Sequence, residues 1–316
     1  MALILFSKKP HHALVHDSVE FSKKLNKSKL VNAVLRNILR DEEKLILNKS
    51  LPENFKKSLD KIFSSQEIRE YLYQTFFIKP KDYQITLKDN SDAIYEKRVL
   101  PFKLKLLKNA FVQDIGNFEI IRVCHQYFKS KEILDICSAP GGKSILLHSL
   151  GYKMTCIDKS SLQINKFKQN LNRLNLNIDI QQKDFLKSNF NQKVESILLD
   201  APCSALGTFR RNPDVASKIS QSKLKQNQNI QIKMLEKAVN LLEVKGIIAY
   251  IVCSFHPFET INVIDKITQK HKNIRTLSLQ SDKMIKRENG YFINPLKFKE
   301  YGGSDIFFVS VLEKIK

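Results

Sequence analysis

Residues 132–151 read EILDICSAPGGKSILLHSLG. The opening residues are short, apolar and rich in Ile and Leu, as a buried strand requires, and they run out at Asp135 and Cys137. Gly141 and Gly142 then mark a turn, and a second apolar stretch with helical spacing begins near Ser144. Strand, glycine turn and helix in that order open a βα unit. The glycines lack a Cβ, so the backbone there can approach a ligand closely, at the carboxyl end of the strand where open α/β sheets bind their ligands. The spacing is neither GxGxxG nor GxxxxGK[ST], which disfavours a dinucleotide fingerprint and a P-loop.

The same grammar continues toward the C-terminus. KMTCID (153–158), DIQQKD (179–184), VESILLD (194–200), GIIAYIVC (246–253) and FFVSVL (307–312) are short apolar runs, and helical patterns fill residues 144–150, 162–174 and 222–242. From about residue 111 onward the pattern predicts an α/β domain around a mostly parallel sheet. Aspartates stand at successive predicted strand tips. Asp158 lies about twenty residues beyond the glycine turn, where a carboxylate accepts hydrogen bonds from the ribose hydroxyls of an adenosine-containing cofactor. Asp184 ends the next strand, toward the adenine side, and Asp200 ends the one after it. Any one of these can serve as a helix N-cap instead; the series is what points to a cofactor.

Two cysteines follow predicted strands directly. VESILLDAPCSALGTFRRNPD (194–214) places Pro202 and Cys203 after Asp200, and then Arg210 and Arg211 in a glycine-containing loop. GIIAYIVCSFHPFET (246–260) places Cys253 at the end of the following strand. Thiols at adjacent strand tips face one crevice. A thiolate that adds to C6 of a pyrimidine makes C5 nucleophilic, and a nearby cation such as Lys143 favours the thiolate. Asp200, protonated or bridged, suits the ring nitrogen N3. Arg210 and Arg211 are open to two readings, an ion pair with Asp214 or contact with an RNA backbone and the active-site loop.

Lys and Arg number 53 against 32 Asp and Glu, a net charge of +21 in 316 residues, which makes a polyanion the natural partner. The five cysteines, at 124, 137, 156, 203 and 253, have no short paired spacing, so free thiols are expected rather than a disulfide framework or a zinc site. His11 and His12 point in different directions on a helix and no Cys or carboxylate set completes a site, so no metal is expected. MALILFSKKPHH has too few apolar residues before its basic pair for a signal or a span, so the expectation is a cytosolic protein with no membrane association. No heptad seam demands a dimer, and a monomer is expected. Residues 1–50 read as a small helical unit, with Leu30, Val31, Val34, Leu35, Ile38 and Leu39 at helical spacing behind Ser28. Residues 51–110 read as a mixed subdomain ending in the basic KLKLLK (103–108), and 111–316 as the α/β domain.

CSAPGGK (137–143), DAPCSALGTFRRNPD (200–214) and YIVCS (250–254), together with FVQD (111–114) and SDIFFVSVL (304–312), resemble the RsmB/Sun-type 16S rRNA cytosine-C5 methyltransferases within the wider NOP2/NSUN family. SKLVNAVLRNILR (28–40) is similar to the last helix of the NusB-like RNA-binding domain that precedes such catalytic domains, and the match begins only near PHHALVHDSVE, so the domain is partial. The resemblance implies a Rossmann-like S-adenosylmethionine-dependent domain acting on RNA, 16S rRNA first and tRNA as an alternative. It implies that Cys137, Ser138, Ala139, Pro140, Gly141, Gly142, Lys143, Asp158, Asp184 and Asp200 line the S-adenosylmethionine site. It further implies that Cys253 attacks and Cys203 assists breakdown of the adduct. A non-catalytic RNA-binding assembly factor is the competing class, and a DNA enzyme would make Cys203 the attacker. Three positions depart from the family pattern: Val252 stands where Thr usually precedes the nucleophile, Thr260 replaces an Asn after Glu259, and Ile306 interrupts a DGFF-like segment.

Overall fold

The computed structural model describes residues 10–23, 26–40, 51–78, 80, 83–87, 94–99 and 109–316, so the basic KLKLLK run at 103–108 lies outside the described residues. The chain separates into two compact units, Met1–Leu51 and Pro52–Lys316.

In the first unit, α1 (His11–Lys23) and α2 (Ser28–Arg40) pair as the apolar spacing predicts. Leu14 and Leu35 form the buried contact, with Val15, Val31 and Leu39 packed around them.

The second unit opens with α3 (Glu53–Ile62) and α4 (Gln66–Phe76), the latter started by Ser65, whose hydroxyl accepts from the Ile68 amide. A small antiparallel sheet follows, in the order β2 (Ile94–Val99), β1 (Tyr83–Thr86), β3 (Ala110–Val112). Asp114 caps α5 (Ile115–Cys124) through the Gly116 amide. The α/β core then runs β4 (Glu132–Ile136), α6 (Gly142–Ser149), β5 (Lys153–Asp158), α7 (Ser161–Leu174), β6 (Asp179–Gln182) and β7 (Val194–Asp200). It continues through α8 (Gln221–Leu241), β8 (Leu242–Val252), α9 (Ile261–Lys270), β9 (Ile274–Thr276), β10 (Met284–Arg287), β11 (Gly290–Ile293) and β12 (Phe308–Lys314).

The large sheet has the order β10-β11-β12-β8-β7-β4-β5-β6, with β9 paired to β12. Strands β6, β5, β4, β7 and β8 are mutually parallel, and β12 joins β8 antiparallel. This is the expected Rossmann-like α/β architecture. Strand β4 is followed in the chain by β5 on one side, whereas β7 lies on its other side, so the order reverses between β4 and β7. That reversal opens a crevice at the carboxyl ends of the strands. The strands beside it are buried on both faces, with Ile133, Ile136, Ile197, Leu198, Leu199 and Ile248 all at 1% exposure or less, and their near-continuous apolar runs follow from that burial.

Several features differ from the sequence reading; among them, β6 stops at Gln182, so Asp184 lies beyond the strand rather than ending it. Strand β8 begins at Leu242 rather than near Gly246, because Leu242 already pairs with Val194 across an irregularity in the β7 register. The hairpin of β10 and β11 was not anticipated; its pairs, from Met284 with Ile293 to Arg287 with Gly290, extend the sheet beyond β12.

Candidate active site

The chemistry-bearing residues gather along the tips of β4, β5, β7 and β8. Cys137 follows β4 with φ 61°, a left-handed backbone that non-glycine residues rarely adopt and that costs on the order of 1 kcal/mol. Gly141 follows at φ 100°, and α6 starts at Gly142 rather than near Ser144. A Cβ on Gly142 would be in ordinary contact with the Gln113 side chain at 3.6 Å, so the space beside it is already lined by Gln113 and Phe111. Asp158, at the tip of β5, accepts from the Ala139 amide through Oδ2 at 3.2 Å and from the Ser160 amide through Oδ1 at 2.8 Å. Each oxygen takes one backbone donor and keeps a lone-pair direction for another, the arrangement a vicinal diol needs. Asp184 lies two residues past β6, where its Oδ1 accepts from the Leu186 amide at 3.0 Å.

Lys143 is buried, and its Nζ donates to Asp200 Oδ2 at 2.6 Å. Burial alone would lower the ammonium's pKa; the Asp200 carboxylate outweighs it, and Cys253 adds to the effect, so Lys143 is held above its ordinary value. Asp200 is therefore bridged to a cation, one of the two states in which it suits a ring nitrogen. Next to this pair, and missed in the sequence reading, is Asp135. It is fully buried, it accepts from the Ser144 hydroxyl through Oδ2, and its Oδ1 has no hydrogen-bond partner among the described residues. Burial pushes its carboxyl up to about 7, with the Asp200 charge contributing in the same direction.

The two thiols meet because of strand register. Asp200 of β7 lies opposite Ile251 of β8, and the Ala201 amide donates to the Ile251 carbonyl at 2.9 Å. Cys203 and Cys253 follow three and two residues later, and their sulfurs are 3.3 Å apart. The hydrogen bond to Cys253, followed by burial, raises the Cys203 thiol well above its ordinary pKa; either sulfur can be the donor of the pair. Cys124, Cys137 and Cys156 are also raised, chiefly by burial.

Behind the thiols lies a second cluster that sequence reading did not assemble. Glu259 is fully buried and accepts from the Ser204 amide at 2.7 Å, the Asn227 side chain at 2.8 Å, the Ser254 hydroxyl at 2.6 Å, and the Ser204 hydroxyl. Gln231 donates to the Pro202 carbonyl at 2.8 Å. The signal available in the sequence was weak: a Ser directly after each cysteine, and a Glu in the loop that leads into α9.

Arg210 and Arg211 do not pair with Asp214, whose carboxylate is taken by Lys218. Both turn toward Asp114 and Asp305: Arg210 is 3.6 Å from each of them, and Arg211 is 3.3 Å from Asp114 and hydrogen-bonded to Asp305. The Arg210 side chain is only 4% exposed, so in this conformation its guanidinium faces the protein interior rather than an RNA backbone; that of Arg211 is 29% exposed. The network joins FVQD to the C-terminal Asp305 segment, since Asp114 also accepts from the Asp305 amide at 3.2 Å. Among the described residues no group of three or more His, Cys, Asp or Glu is placed to hold a metal ion, and no helix is long and apolar enough to cross a membrane.

Comparison with known proteins supplies the family and supports the fold. The chain is 28% identical over 208 residues to ribosomal RNA small subunit methyltransferase B of Photorhabdus laumondii, a match covering 64% of this chain and 46% of that relative. It is 24% identical over 324 residues to the protein of the same name from Serratia proteamaculans, covering 90% of this chain and 76% of that one. Among solved structures, PH0851 superposes with a TM-score of 0.80 at 18% identity, covering 98% of this chain and 80% of PH0851. NSun6 from Pyrococcus horikoshii, solved with SFG, superposes with a TM-score of 0.58 at 24% identity, covering 69% and 57% of the two chains. These superpositions establish the fold. Residues 126–313, more than half of the chain, match the family described as 16S rRNA methyltransferase RsmB/F, and the chain belongs to that family.

Proposed function

We propose that the protein methylates C5 of a cytosine in RNA, 16S rRNA in the first instance, through a covalent bond between the Cys253 sulfur and C6 of the base. The observation that carries this reading is the thiol pair 3.3 Å apart at the tips of β7 and β8, beside the Lys143–Asp200 ion pair. A non-catalytic RNA-binding factor has no use for such an arrangement.

S-adenosylmethionine is the cofactor of this family and fold, and when bound it supplies an electrophilic methyl group. The residues present suit it. Asp158 would offer two carboxylate oxygens to the ribose hydroxyls, and the strand-tip loop at 137–143 would offer its backbone to the ligand. Asp184 would flank the adenine side and Asp200 the reacting end.

The division of labour between the cysteines is the one that the family resemblance implies, with the Cys253 sulfur as the attacking atom. The raised pKa of the Cys203 thiol, which disfavours its thiolate, supports that reading. Attack at C6 pushes electron density toward C5 and N3, and the Lys143 ammonium, held against Asp200, is the cation suited to meet negative charge on the ring. Once the Cys253 sulfur is a thioether it no longer presses a proton onto Cys203, whose pKa falls. Cys203 then gives its own proton to solvent and, as the thiolate, takes the C5 proton; the C5–H electron pair forms the C5–C6 double bond, the C6–S bond breaks and Cys253 leaves as a thiolate. Val252, in place of a hydroxyl residue, is fully buried within β8 opposite Phe308, so the attacking loop is aligned here by the sheet.

The test is product analysis. Incubation of 16S rRNA with the protein and methyl-labelled S-adenosylmethionine, followed by digestion to nucleosides, places the label in 5-methylcytidine. Label in any other nucleoside, or none, defeats the reading.

A further inference from the structure

Resting on the two-thiol reading above, we infer that Glu259 is a positioning residue, which holds the loop carrying Cys203 and the loop carrying Cys253 in one register. A carboxylate has about four acceptor positions, and here two donors converge on each oxygen. Oε1 takes the Ser204 amide and the Asn227 side chain, and Oε2 takes the hydroxyls of Ser204 and Ser254. Three of these four donors belong to residues that directly follow a cysteine. Glu259 thus grips each thiol loop one residue from its sulfur.

The grip is itself fixed. The Tyr250 hydroxyl, from inside β8, donates to the Glu259 carbonyl at 2.9 Å, and the Glu259 amide donates to the His256 carbonyl at 2.9 Å. Asn227 reaches the carboxylate from α8, while Gln231, one turn further along that helix, holds the Pro202 carbonyl at 2.8 Å. Among the described residues no Lys, Arg or His lies within ion-pair distance of Glu259. Its burial is compensated by these hydrogen bonds alone, so weakening them releases the loops rather than rearranging a salt bridge. A residue serving only to start α9 would have no reason to spend all four acceptor positions on two other loops and a second helix.

Glu259→Gln keeps the shape and turns one oxygen into an NH2 group that faces donors. Two readouts separate positioning from mere folding, both taken at a temperature where circular dichroism shows the variant folded. The first is capture of the free protein by phenylarsine oxide, which forms two As–S bonds and releases water when both sulfurs reach one arsenic. The second is the split between kcat and KM in methyl transfer. Glu259→Gln is expected to slow dithiol capture and to lower kcat by about tenfold to a hundredfold, with KM for RNA and for S-adenosylmethionine nearly unchanged; Glu259→Asp recovers part of both. If Glu259→Gln does not fold, the Ser204→Ala/Ser254→Ala double variant keeps the carboxylate, removes two donors and is measured the same way. A kcat equal to that of the parent, whatever happens to capture, overturns the inference, as does parental capture. Capture needs neither RNA nor a choice of attacking thiol. A failure of the clamp is therefore distinguishable from a failure of the Cys253 assignment, which is read from the covalent adduct.

Discussion

Asp135 is the residue whose environment departs furthest from what its position in the sequence suggests. It belongs to a strand, its carboxyl is fully buried, and burial pushes its pKa up to about 7. An unfolded Asp titrates near 4, so between roughly pH 4 and pH 7 the folded protein holds this proton and the unfolded chain does not. The contribution to stability is complete below that window and is lost as pH rises through the folded value. Asp135→Asn keeps a partner for Ser144 and removes the titration. The melting temperature of the variant, followed from pH 4.5 to pH 7.5, should fall less than that of the parent; parallel curves would show that Asp135 titrates normally. The glycine turn, Lys143, Asp158, Asp200 and both cysteines were legible as candidates because each sits in a local pattern of strand, tip and loop. Asp135 was legible only as a strand end and not as a buried carboxyl, and Glu259 only as a loop residue, since its partners lie up to 55 residues away.

At the level of elements, the loop after β7 is the piece on which the site depends. The Gly207 amide donates to the Cys253 carbonyl, and the Gly207 carbonyl accepts from Ile306, both at 3.0 Å. A Cβ on Gly207 would fall 1.8 Å from the Ile306 carbonyl oxygen. Gly207→Ala therefore has to push the Cys203 loop off the sheet, at a cost of about 2 kcal/mol or more, and activity should fall by more than the stability loss accounts for. Thermal unfolding and a methyl-transfer assay on the same preparation check this; a variant with parental stability would remove the close-approach argument. Helix α3 supports the same loops from behind, because the Phe55 ring lies 5.1 Å from Phe209 and 5.3 Å from Phe255, aromatic residues carried by the Cys203 and Cys253 loops respectively. The parallel strands and the long helices were legible from apolar periodicity. The β10–β11 hairpin and the Asp114–Arg210–Arg211–Asp305 network were not, since pairing across some 190 residues leaves no trace in local spacing.

For the whole molecule, the +21 net charge fits an RNA substrate, and the proposed thiol chemistry asks that this polyanion bring a pyrimidine. Binding to an unmodified 16S rRNA fragment should weaken steeply and linearly in log–log form as salt rises, because phosphate contacts release counterions. Affinity independent of salt between about 50 and 200 mM would detach the charge from RNA recognition. The central claim is that two thiols in contact divide one reaction, Cys253 attacking and Cys203 releasing. Denaturing electrophoresis of the Cys203→Ala and Cys253→Ala variants after incubation with RNA and S-adenosylmethionine tests it most directly. Cys203→Ala should accumulate a slow-migrating covalent protein–RNA species and Cys253→Ala should form none; an adduct in Cys253→Ala, or one that requires Cys203, would contradict the account.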